Sequence, residues 1–207
     1  MEKDAILMEL QHLNVKLFIE DGQQLDLAAF VPVFHNWIQD QVCEELLLDV
    51  ADYVHVPAGP GVVLIGHEAN YSVDNRDHRL GVRYNRKAPV EGSNQDRLSQ
   101  ATQAALAACQ RLEADRCLEG KVQFNGHDIE VFVNDRLLAP NSETSRQAAD
   151  AELRTFFRQL FAGGEFTLTY EQEPRKLFSA AVRASPRFDT ARLLDNLRAL
   201  QAIPNRA

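Results

Sequence analysis

The 207-residue sequence predicts an α+β fold, with mixed or antiparallel sheets and about four helices. Three observations carry that expectation. Short runs such as Val15-Lys16-Leu17-Phe18-Ile19 are rich in β-branched and aromatic residues and broken by single polar positions, as in a strand. Other stretches repeat their apolar residues at helical spacing, as Phe30, Phe34, Trp37 and Ile38 do. Finally, the order β-α-β-β-α is read twice along the chain, with an extra strand in the first pass.

The first strand, residues 14–21, ends at Asp21-Gly22. Residues 26–42 follow as a helix that Asp26 can cap, with Pro32 either in a delayed first turn or at a kink. Residues 46–55 form the next strand. The turn Pro57-Ala58-Gly59-Pro60-Gly61 then reverses the chain, because two prolines fix φ and two glycines permit positive φ. Residues 61–73 read as one strand, and the wholly apolar 61–66 portion implies burial on both faces. Residues 79–87 give a further strand after the turn Asn75-Arg76-Asp77-His78, and the alanine-rich stretch 94–115 gives the longest helix, packed against a sheet.

In the second half, Asn125-Gly126 between two alternating segments predicts a tight hairpin. A helix over 143–162 begins at Ser142 or Thr144 and stops at Gly163-Gly164. Strands at 165–172 and 177–184 and a last helix at 189–202 complete the chain. Residues 15–21 and 129–135 share one class pattern (apolar, charged, apolar, Phe, apolar, polar, Asp), so a duplication is one reading. It makes 14–115 and 118–203 internal halves about a pseudo-twofold axis and places Phe18 and Phe132 at equivalent core positions. Chance likeness between strands is the other. No linker requires separately folding parts, so 1–207 is expected to be a single compact domain.

Composition narrows the function. The net charge of −8 is uneven. Residues 1–60 hold 11 acids and 2 bases, or −9, while residues 172–207 hold 3 acids and 7 bases, or +4. An acidic chain without interleaved basic and aromatic residues disfavours nucleic acid as a partner. No apolar run approaches the roughly 20 residues that span a bilayer, so no membrane is expected. The acidic start MEKDAILMEL lacks a secretory pattern, and Cys43, Cys109 and Cys117 form no CxxC pair. A cytoplasmic protein with reduced thiols is the expectation, Cys109 and Cys117 being buried.

The reactive side chains concentrate in residues 46–87. His67 and Glu68 follow Gly66 at the end of the buried apolar run, and Asp49, Asp52 and His55 stand on the run before the turn. If the two runs are neighbouring strands, these five residues supply mixed oxygen and nitrogen ligands for a divalent cation. His67, Glu68, Asn70, Tyr71 and Arg83 are the candidates for contacting a small ligand. The plainer alternative is that His67 bonds to backbone, Glu68 pairs with an arginine, and Asp52 caps a turn. No GxSxG elbow, phosphate loop or HExxH helix is present, so no catalytic residue is assigned. The leading expectation is therefore a protein binding a small ligand or divalent cation at the 49–71 strand ends. A structural or interaction protein, docking a partner or a second copy through its acidic front and basic tail, competes with it. An enzyme using His67 and Glu68 as acid and base comes third.

Overall fold

A computed structural model describes residues 8–20 and 25–201. Its eight strands form one antiparallel sheet in the order β2-β3-β4-β5-β1-β6-β8-β7. The strands are β1 (Leu13–Ile19), β2 (Leu47–Tyr53), β3 (Gly61–Gly66), β4 (Ala69–Asp74), β5 (Gly81–Arg86), β6 (Phe124–Val133), β7 (Phe166–Tyr170) and β8 (Ser179–Ala184). Four helices accompany them: α1 (Phe30–Gln39), α2 (Asn94–Ala114), α3 (Glu143–Leu160) and α4 (Thr190–Gln201). The α+β class is as the sequence indicates.

All four helices pack on one face of the sheet. There Val15 and Leu17 of β1, Val82 and Tyr84 of β5, and Ile129 and Val131 of β6 join the buried helix residues in one core. The small residues of α2 (Ala101, Ala105 and Ala108, all buried) let that helix settle closely on β1 and β5. Ser93 and Asp96 close a capping box at its start. Pro32 falls in the first turn of α1, where its missing N–H leaves no helical bond unmade. Asp26 caps the preceding 3-10 turn by accepting from the Ala28 N–H at 2.9 Å. The segment 21–24, including the expected strand end at Asp21-Gly22, lies outside the described residues.

Two expected elements differ. Residues 61–73 are not one strand but the hairpin β3–β4, turning at Gly66-His67-Glu68-Ala69. A Cβ on Gly66 would stand 2.6 Å from the Ala69 carbonyl oxygen, so glycine permits this tight closure. Asn125-Gly126 is not a hairpin turn: both residues lie within β6. The pairing passes from Leu17 opposite Ile129 to Phe18 opposite Asn125, so residues 126–128 bulge out of the ladder with β1, while Asp128 stays paired with Arg183 of β8. A Cβ on Gly126 would meet the Phe188 carbonyl oxygen at 2.3 Å, so the glycine serves close approach of another segment.

Outward from the central β1–β6 pair, the sheet reads opening strand, last strand, penultimate strand on both sides (β1-β5-β4 and β6-β8-β7). Phe18 is buried and Phe132 half-buried, and both point away from the helical core that the sequence suggested for them.

Gly61 starts β3 at φ 68°, and an added Cβ would stand 2.0 Å from the Val73 carbonyl oxygen. Gly61→Ala is expected to cost at least about 3 kcal/mol, through both strain and displacement of β4. Thermal unfolding should show this as a midpoint lowered by roughly 6–12 °C, and an unchanged midpoint would contradict the β3–β4 pairing.

Candidate functional site: the uncovered face of the sheet

Because side chains alternate along a strand, Asn14, Lys16 and Phe18 of β1 project away from the helices. So do Asn70, Ser72 and Asp74 of β4, Arg83 of β5, and Asp128, Glu130 and Phe132 of β6. No helix of the described residues covers this face, yet its centre is buried by its own long side chains. Lys16, 1% exposed, donates from Nζ to Asp74 Oδ1 at 2.8 Å and to the Arg79 carbonyl at 2.8 Å. Arg83 approaches Asp74 Oδ2 at 3.1 Å as an ion pair, without the alignment of a hydrogen bond. Arg79 and Arg183 both donate to Asp128 Oδ2, at 2.6 and 2.9 Å. Arg79 also stacks over the Phe18 ring, 3.5 Å from its centroid.

Burial sets the electrostatics. It lowers the Lys16 ammonium from its usual range, with Asp74 opposing the shift, and it lowers Arg83 likewise. Glu130, opposite Lys16 in the ladder, is raised by desolvation against the pull of Lys16 and Arg83.

Beside this network the face opens into a basin of about 570 Å³. Arg76 enters from the β4–β5 turn, Arg136 from the β6–α3 loop, and Arg175 and Lys176 from the β7–β8 loop. Phe132, Glu130 and Ser179 form its floor. Lys176 pairs with Glu171 at 2.8 Å. The side chains of Arg76, Arg136 and Arg175 are exposed and have no ion-pair partner among the described residues. A larger cavity of about 1060 Å³ lies at the β6 bulge, bounded by His78, Arg79, His127, Asp128 and Arg183. Asp77 and His78 there take left-handed φ values of 56° and 58°, a strained conformation for two successive non-glycine residues.

The residues singled out in the sequence are dispersed. Asp49 and Asp52 are exposed on the edge strand β2, where they accept from the Val50 and Val54 N–H groups at 2.8 and 2.9 Å. His55 is exposed in the turn after β2, and His67 is exposed in the β3–β4 turn with its backbone N–H bonded to Leu46. Glu68 pairs with Arg86 at 2.8 Å. The five candidate metal ligands are therefore not brought together. Among the described residues no three His, Cys, Asp or Glu side chains are placed to hold a metal ion. His67 and Glu68 share no hydrogen bond: His67 is exposed in the turn, and Glu68 is held by Arg86. Alternation also separates the ligand candidates: Asn70 and Arg83 lie on the uncovered face, and Tyr71 faces the helices.

Tyr71 belongs to a cleft of about 450 Å³ between α2 and the α1–β2 loop. Its hydroxyl donates to Glu45 Oε1 at 2.9 Å, fastening that loop to the sheet. Desolvation raises Glu45, Tyr71 and the half-buried Cys43 thiol above their ordinary values. Cys109 is buried, whereas Cys117 is exposed on the 3-10 turn after α2, contrary to expectation.

The basin arginines carried no sequence signal beyond the basic tail that contains Arg175. They stand in three loops far apart in the chain, and only the sheet order unites them. No protein-family model matches the chain, and no curated protein does.

Removing one member of the network tests it. Asp74→Asn leaves Lys16 and Arg83 buried without their carboxylate and should cost about 3–5 kcal/mol in urea unfolding. Lys16→Met should cost less, since Asp74 keeps Arg83 and the Arg76 N–H. Similar costs for both variants would show that the charges act independently.

Glu130 gives a pH signature. A carboxyl raised in the folded state loses stability as pH climbs from its unfolded value, about 4.3, through the folded one. Glu130→Gln should match the parent below that window and exceed it at neutral pH. A constant difference across pH would remove Glu130 from the buried network.

Proposed function

We propose that the protein binds a small anionic molecule on the uncovered sheet face, in the basin lined by Arg76, Arg136 and Arg175. One observation carries this reading: three arginines from three separate loops line one basin, and although Asp77, Glu130 and Glu171 line it too, no carboxylate of the described residues pairs with those three. Arginine forks suit phosphate and carboxylate groups, and guanidinium charges held close together gain when an anion joins them. The Phe132 ring, with Arg83 5.0 Å from its centroid, offers an apolar wall for the body of such a ligand. The net charge of −8 favours a small anion over a nucleic acid, since a long polyanion would meet repulsion beyond the basin. Arg83 itself does not line the basin. A cytosolic location fits the three free thiols.

A duplicated origin of the halves accompanies this reading. It is supported by the class pattern of 15–21 and 129–135 and by the mirrored strand order. Lys16 and Glu130, which correspond in that pattern, face each other at the seam, with Val15 opposite Val131 on one side of that pair and Leu17 opposite Ile129 on the other.

Calorimetric titration with inorganic pyrophosphate and with citrate tests the binding site. At low salt at least one should bind. Arg136→Gln combined with Arg175→Gln should weaken it tenfold or more, about 1.4 kcal/mol, with melting unchanged because both residues are exposed. Absence of binding by both anions, or equal binding by the double variant, would end the proposal.

A further inference from the structure

Seven large hydrophobic residues are exposed among the described residues, and five of them (Leu46, Leu48, Tyr53, Val54 and Val56) fall in one short segment on and beside β2. β2 is an edge strand, paired with β3 on one side and open on the other. The bond from the His67 N–H to the Leu46 carbonyl fixes which amides face inward. By alternation and the pairings that follow, residues 49, 51 and 53 turn their N–H groups toward β3, while Val50 and Asp52 turn theirs outward. Natural edges are blunted by lysine, proline, a bulge or a cover. Residues 47–53 contain neither lysine nor proline; they have an irregularity between Leu47 and Asp49, and the Asp49 carboxylate sits on the outward Val50 amide.

The charge of this edge is one-sided. From Leu17 to Asn75 the sequence has ten acids and no lysine or arginine. Glu44, Asp49 and Asp52 are exposed, with no cationic partner among the described residues. A second copy pairing β2 with β2 would gather like charges along the seam, which opposes association.

We propose that β2 accepts an extended segment of a partner protein in which lysine or arginine is interspersed with apolar residues, added as a ninth strand. Backbone bonds to the Val50 and Asp52 amides would supply the pairing. The apolar residues of the segment would cover Leu48 and Tyr53. Its cations would draw the Asp49 carboxylate off the Val50 amide, so the edge opens to basic strands and stays capped to acidic ones. This surface is separate from the arginine basin and stands whether or not an anion binds there.

The test uses the full chain and two capped heptapeptides, TKVVKVT and TEVVEVT, whose charges are spaced by three as Asp49 and Asp52 are. Fluorescence anisotropy should show binding of the lysine peptide alone, and hydrogen exchange at the Val50 and Asp52 amides should slow tenfold or more in its presence. Asp49→Lys with Asp52→Lys should reverse the preference while leaving the melting temperature close to that of the parent. Binding of neither peptide, equal binding of both, or indifference to the charge reversal would overturn the proposal. So would protection that rises with protein concentration alone, with a doubled mass in light scattering, because the edge would then belong to a second copy.

Discussion

A lysine buried at the middle of the sheet constrains much of the rest. Lys16 is 1% exposed on a central strand, and taking its charge out of water is repaid only by close partners with good geometry. Asp74 supplies one and the Arg79 carbonyl another. Holding Asp74 there requires β4 and β5 in register, and the associated pairs reach through Arg79 and Asp128 to β6 and through Arg183 to β8. Five strands are thus referred to one ionic arrangement. A slip of one residue in β1 would turn Lys16 into the apolar core and Val15 or Leu17 out of it, so the network specifies register more than it adds stability.

The same alternation sorts the chemistry by surface. Apolar residues face the helices, arginines collect over the opposite face, and acids with exposed leucine, valine and tyrosine line the β2 edge. A chain of net charge −8 therefore presents, on one face, three arginines without an ion-pair partner among the described residues, while its acids lie both within the ionic network of that face, as Asp74 and Asp128 do, and along the β2 edge.

The class of fold was legible because its signals are local. Periodicity marked β1, α1, α2 and α3, and Ser93, Ser142 and Asp26 act as caps where short polar residues precede helical spacing. Two turn readings failed because glycine has more than one use: Gly66 closes a hairpin that an apolar run concealed, and Gly126 makes room for Phe188 inside a strand. The site was less legible. Density of Asp, His and Glu along the chain drew attention to 49–71, but adjacent strand residues face opposite ways, so Asn70 and Tyr71 parted company. Convergence of Arg76, Arg136 and Arg175 depends on which strands neighbour which, information that no local pattern contains.

The sheet order also implies how the chain would respond to being divided. Residues 13–114 contain β1 to β5 and α2, and residues 124–201 contain β6 to β8 and the last two helices, so neither part threads through the other. Gly120 between them has φ 69° and open space where a side chain would project. A cut there leaves two pieces, each ending in a strand taken from the centre of the sheet. Val15 and Leu17 would lose Val131 and Ile129 from beside them, and Lys16 would lose its neighbour Glu130. Such edges have few ways to be satisfied in water other than by finding each other again, so the seam is suited to a two-fragment system that reports on reassembly.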